Sequence, residues 1–133
     1  MSAQGKRVLV IGGEMAAGRA IAVGLAEAGA DVAIASLSND TQAEFAINSA
    51  LNELWALGRR GLALAIDASD AAQLRDALAR AEAELGGVDA AVVVGDAIAR
   101  DALAGRTVID VAADADAREA VRGIIERLAQ PAT

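Results

Sequence analysis

The chain contains no cysteine and no histidine, which excludes disulfides, thiol chemistry, imidazole bases and the usual zinc sites together. Metal binding is left to oxygen ligands, and no carboxylate cluster has the spacing of a calcium loop; no metal is expected. Tyrosine is absent, lysine occurs once at Lys6, and the aromatics are limited to Phe45 and Trp55. There is no run of about 18 apolar residues of the kind that crosses a bilayer. The opening MSAQGKR lacks the apolar block of a secretion signal, so the expected location is cytoplasmic. Positive charge is scarce too: 12 Lys and Arg against 19 Asp and Glu give a formal net charge of -7. That balance argues against non-specific attraction to nucleic acid or an anionic membrane, both of which need a basic footprint.

What is present suits one domain spanning residues 1–133, with a 55% hydrophobic fraction carried mainly by Ala, Leu, Val and Ile. Short apolar runs alternate with helical patterns, the arrangement of a parallel sheet covered on both faces. The runs are Arg7 to Ile11, Asp31 to Ala35, Leu62 to Ile66, Ala90 to Val94 and Thr107 to Ala112. Helices are expected from about Ala16 to Ala28, from Thr41 to near Gly58, from about Asp70 to Leu85, and from about Asp116 to Ala129, before Pro131. The second helix starts with Thr41-Gln42-Ala43-Glu44, read as a capping box. Its core face is Ala43, Ile47, Ala50, Leu51, Leu54 and Leu57, with Phe45 on the other side and Trp55 at the border. Only Gly95 to Arg106 separates the fourth and fifth strands, so Ala97 to Ala104 supplies at most two helical turns.

The most informative stretch is Val8 to Ala22, where an apolar strand turns through glycines straight into a helix. A helix N-terminus carries unpaired N–H groups and a positive dipole end, and it can hold a pyrophosphate if the backbone comes close. Gly12, Gly13 and Gly18 permit that approach, while Met15 and Ala16 stand where common spacings place a middle glycine.

Ile11-Gly12-Gly13-Glu14-Met15-Ala16-Ala17-Gly18 resembles the Thr-Gly-x-x-x-Gly-x-Gly turn of the short-chain dehydrogenase/reductase family, with Ile11 for Thr and Ala16 for the second Gly. Ile66-Asp67-Ala68-Ser69-Asp70 is similar to the family's segment after the third strand, where an aspartate contacts the adenine ring, and Leu85-Gly86-Gly87-Val88-Asp89 to its entry into the fourth strand. The resemblance is good from about residue 5 to residue 94. It thins where the Asn-Asn-Ala-Gly motif corresponds to Val93-Val94-Gly95-Asp96 and a long helix is almost absent. It implies an α/β, Rossmann-like, doubly wound parallel sheet of five strands in the order 3-2-1-4-5. It also implies an NAD or NADP site formed by Gly12, Gly13, Met15, Ala16, Ala17, Gly18, Ser36, Leu37, Asp67, Ala68 and Gly95.

The family's Tyr-x-x-x-Lys cannot be present in a chain without tyrosine, and its serine falls near Ala112 or Ala113. Hydride transfer to a carbonyl needs a proton donor for the developing alkoxide. Asp96, Asp101, Asp110 and Asp114 cluster near the ends of the fourth and fifth strands, but they are expected to be solvated rather than a tuned carboxylate pair. No catalytic residue is assigned. At the end of the second strand an acid would suit NAD and a base NADP, and Ser36 and Leu37 are neither. Glu14 adds negative charge beside a pyrophosphate unless it points away, and Arg19 is read as an exposed helix residue.

These residues suggest a dinucleotide-binding protein that has lost redox catalysis, a nucleotide sensor or regulatory module. The alternatives are an oxidoreductase with a non-standard or subunit-shared site, and an interaction module that binds no nucleotide. An excised or internally deleted longer chain would equally explain the change after the fourth strand. A fifth strand at the sheet edge, and apolar surface left open by the missing helix, predict a homodimer through the strand-five side and the final helix. The competing arrangement folds that helix back within one chain.

Overall fold

The computed structural model describes residues 2–96 and 98–130. Ala97, where the short fourth crossover was expected to begin its helical turns, and Pro131, the expected stop of the last helix, lie outside the described residues. The elements are β1 (Arg7–Ile11), α1 (Ala16–Glu27), β2 (Asp31–Ala35), α2 (Thr41–Ala56), β3 (Gly61–Leu64), α3 (Ala71–Leu85), β4 (Ala90–Val94), a 3-10 turn (Arg100–Leu103), β5 (Val108–Val111) and α4 (Ala117–Ala129). They form a five-stranded parallel sheet in the order β3-β2-β1-β4-β5.

The three inner strands are apolar because helices bury both of their faces. Val8, Val10, Val32, Ile34, Val92 and Val94 belong to one core with Ile21, Leu25, Ile47, Leu54, Ile124 and Ile125 from α1, α2 and α4. Leu9, Ile11, Ala33, Ala35, Ala91 and Val93 belong to the other, with Leu74, Leu78 and Leu85 of α3. The sheet surface that the missing helix was expected to leave open is covered by the 3-10 turn, whose Ala102 and Leu103 are buried in this second core.

The last helix returns over the opposite face and packs against α1, so it does not cover the face left open after β4, as the intrachain alternative expected. A β carbon at Gly24 would lie 2.8 Å from Cγ2 of Val121, so glycine makes the notch in α1 that seats α4. Strand β5 remains the sheet edge. Its one exposed residue, Asp110, pairs with Arg100, a charge of the kind that blunts strand edges.

Three expectations need correction. Asp40, not Thr41, caps α2: its carboxylate accepts the Ala43 N–H at 2.8 Å and the Ser38 hydroxyl at 2.9 Å, which places Thr41 inside the helix. A carboxylate one residue earlier in a tight turn reaches the orphan amide better than the hydroxyl does. Leu57 is 44% exposed because α2 ends at Ala56 and the chain turns away before Leu57 reaches the sheet. Strand β3 runs from Gly61 to Leu64 rather than to Ile66, because Ser36 intercepts the backbone of Ile66 and ends the ladder. Phe45, at 77% exposure, and Trp55 both face solvent.

Two predictions follow from the packing. A β carbon on Gly18 would overlap the carbonyl oxygen of Gly12, whereas one on Gly123 in α4 would meet nothing. Gly18→Ala is expected to destabilise by about 1–3 kcal/mol or more. Gly123→Ala is expected to be neutral or stabilising by up to about 1 kcal/mol, both read from denaturant midpoints. The Asp40 carboxyl is held below its ordinary pKa by the Ala43 N–H and then by the Ser38 hydroxyl. A lowered folded-state pKa contributes stability above the unfolded value, about 3.9, and that contribution is lost as pH falls through the folded value. Asp40→Asn should therefore melt below wild type at pH 7, and the gap should close in acid.

Candidate functional site

The carboxyl ends of β1, β2 and β4 bring most of the sequence-predicted site residues to one edge of the sheet. After Ile11 the chain does not continue the strand. The N–H groups of Gly12 and Gly13 both donate to the carbonyl of Ala35, at 2.9 and 3.1 Å, which folds the turn over the end of β2. Gly12 has a φ of 101°, and a β carbon there would sit 2.6 Å from the carbonyl oxygen of Val94. The third glycine, Gly18, lies in the first turn of α1 against the Gly12 carbonyl. These approaches let a helix begin four residues beyond the turn's first glycine, with its N-terminus open above the sheet.

That N-terminus differs from the others. Asp40, Asp70 and Asp116 cap α2, α3 and α4 with their carboxylates, whereas Met15 at the start of α1 provides no side-chain cap. The first-turn N–H groups of a helix have no intrahelical partner, and here no carboxylate from the cap position takes them. Ala16 is exposed at this end, so its methyl group does not fill the gap beneath the turn, while Ala17 and Gly18 are buried.

Glu14 points away from the helix start. Its carboxylate accepts the N–H of Leu37 at 2.9 Å and that of Ser38 at 3.0 Å, tying the glycine turn to the loop that follows β2. The repulsion expected beside a pyrophosphate is thus moved towards the β2 end. Arg19 is also engaged: it pairs with Glu53 and donates to the Ser49 hydroxyl at 3.2 Å, joining α1 to α2. It is not aimed at a phosphate.

The Ser36 side chain is fully buried, and its hydroxyl exchanges hydrogen bonds with the backbone of Ile66 at 2.9 and 3.0 Å. Leu37 accepts the Ala68 N–H at 2.9 Å through its carbonyl, and the Ala68 carbonyl takes the Ala99 N–H at 2.8 Å. Gly95, with a φ of 99°, lies beneath Met15 and Leu37: a β carbon on it would be 3.5 Å from Cδ1 of Leu37 and 3.7 Å from Sδ of Met15. Asp67 turns towards its own loop, where Ser69 donates both hydroxyl and N–H to the same oxygen; these bonds lower its pKa. Sequence reasoning missed the cross-link from Glu14. A carboxylate within a glycine turn was the only signal, and its target emerges only when β2 lies alongside.

Asp96, Asp101, Asp110 and Asp114 are all exposed, and Asp110 is paired with Arg100, so the four form no buried carboxylate pair. Among the described residues no group of three or more acidic side chains is placed to hold a metal ion. No helix among them is long and apolar enough to cross a membrane.

Comparison with known proteins agrees with this geometry. The family described as short chain dehydrogenase matches residues 6–106. L-rhamnose 1-dehydrogenase (NAD(P)(+)) of Sphingomonas sp. strain SKA58 is 40% identical over 89 residues, 67% of this chain and 34% of that protein. A blue fluorescent protein from a metagenomic library, solved in complex with NADPH, shares 36% identity with a TM-score of 0.64, covering 69% of this chain and 36% of that one. A short chain dehydrogenase from Mycobacterium paratuberculosis, solved bound to NAD, shares 25% with a TM-score of 0.63, covering 69% and 37%. The chain spans about a third of the length of the curated relatives it matches. The glycine turn, the strand order and the matched residues together place the chain in the short-chain dehydrogenase family.

Proposed function

We propose that this chain binds NAD or NADP without carrying out redox chemistry by itself, as a nucleotide sensor or regulatory binding module. The observation that carries this reading is the contrast between α1 and the other helices. Among the α-helices of the described residues, only α1 starts without a side-chain cap, above the close approach of Gly12 and Gly18. A phosphate at that position would meet the orphan N–H groups and the positive end of the helix dipole. The first-turn N–H groups of Ala16, Ala17 and Gly18 would hold the pyrophosphate over the bare backbone of Gly12 and Gly13, with Met15 beside it and Leu37, Asp67, Ala68 and Gly95 flanking the adenosine side. When bound, the nicotinamide ring supplies a hydride donor or acceptor. With no tyrosine and with Lys6 before β1, the chain offers no tyrosine–lysine pair at the carboxyl ends of β4 and β5, where Asp96 and Asp114 are exposed acids.

Homodimerisation belongs to the same proposal. β5 has a strand partner on one side only, and Ile109 and Val111 are half-buried beside a groove lined also by Ile124 and Gly123 of α4. A second copy against this edge would cover it.

Separate calorimetric titrations of NAD, NADH, NADP and NADPH are expected to show binding of at least one, with no turnover against a panel of alcohols and ketones. Silence with all four would remove the binding reading, and turnover would favour an oxidoreductase with a non-standard or shared site. Light scattering at micromolar concentration is expected to give a dimer mass. A monomer mass would sink the dimer.

A further inference from the structure

Resting on the dinucleotide reading and deepening it, we infer that Glu14 is the built-in occupant of an anion-binding nest and makes the site selective for NAD over NADP. Two consecutive backbone N–H groups, those of Leu37 and Ser38, point at one place beyond the end of β2. Converging amides of this kind make a concavity suited to an anion. In a Rossmann-type sheet this is where the adenosine ribose lies, and where a ribose diol is told apart from a 2′-phosphate. Here the Glu14 carboxylate already fills it, with contacts of 2.9, 2.9 and 3.0 Å.

The usual acid for a ribose diol comes from the strand end itself. In this chain that position is Ser36, buried and bonded to Ile66, and the next residue is apolar Leu37. Glu14 brings the missing acid from the glycine turn instead. A carboxylate can accept from ribose hydroxyls with the lone pairs that the amides leave free.

A 2′-phosphate would face the opposite situation. It needs donors or cations, yet the two amides are taken and the nearby loop, Ser36 to Glu44, contains no Lys or Arg. Asp40 adds a second negative charge beside Ser38, and Arg19 is engaged by Glu53 and Ser49 of α2. A carboxylate beside the ribose discriminates between a neutral diol and a dianion even with solvent screening. The relatives, one solved with NADPH and another with NAD, leave the nucleotide undecided at the level of the family.

The test is calorimetry on the full chain, with NAD and NADP as paired probes and with adenosine 5′-monophosphate and adenosine 2′,5′-bisphosphate as a second pair. Wild type should bind NAD at least about tenfold more tightly than NADP, a difference within reach of one charged contact. Glu14→Ser, which vacates the nest, should move that ratio towards NADP by about tenfold or more. Glu14→Gln, which keeps an acceptor but removes the charge, should fall between. The readout is the ratio rather than either affinity, because a merely structural loss at the loop would weaken both nucleotides alike. Equal binding of both by wild type, or an unchanged ratio in a Glu14→Ser protein that melts like wild type, overturns the selectivity and leaves the binding reading intact. If Glu14→Ser does not fold, the Glu14→Gln ratio decides. Wild type that binds neither nucleotide overturns both readings.

Discussion

The backbone of Gly18 rests against the carbonyl of Gly12, and the architecture depends on that contact being bare. A side chain there would push α1 off the end of β1. Because α1 packs on the inner strands and carries the notch for α4, displacement would spread across a whole face of the sheet. Gly12 imposes a similar demand on the other flank, where its backbone abuts the carbonyl of Val94. Two glycines thus set the spacing among three elements. The same closeness leaves the α1 N-terminus bare above the sheet, so one steric constraint serves both the fold and the candidate site.

Around this point the candidate site is held by backbone more than by side chains. Leu37, Ala68 and Ala99 form a chain of main-chain hydrogen bonds across the end of the sheet, and Ser36 pins Ile66 from below. Polar side chains in the region are mostly engaged with the protein itself: Ser36 with Ile66, Asp67 with Ser69, Arg19 with Glu53 and Ser49. Such a frame presents a ligand with amides and dipoles rather than with groups able to exchange protons.

The inner strands were legible because burial on both faces forces uninterrupted apolar runs, and Arg7 to Ile11, Asp31 to Ala35 and Ala90 to Val94 match the observed strands residue for residue. Helix α3 was equally plain, with Leu74, Ala77, Leu78, Ala81 and Leu85 all buried. What sequence could not supply were the details decided by neighbours distant in the chain. The end of β3 depends on Ser36, thirty residues earlier. The cap of α2 turned on which of two adjacent polar residues the preceding loop could aim inwards. Glu14 reads as a liability in isolation and as a tether once β2 is in place. At the fourth crossover the expected turns shortened to a single 3-10 segment, enough to bury Ala102 and Leu103 and no more.

The sheet's order also opposes the order in which the chain is made. β1 is central, and its register sets Val8 against Ala90 and Ile11 against Val93. While a ribosome has delivered only β1 to β3, one margin of β1 has no partner and its apolar residues lack half of their cover. That margin closes only when the fourth strand emerges, 82 residues beyond its partner in register, as Val8 against Ala90 shows. Pairings so remote in sequence carry a large loop-closure cost and slow folding. The half-made sheet is therefore the species in which this chain most needs shelter from its own kind.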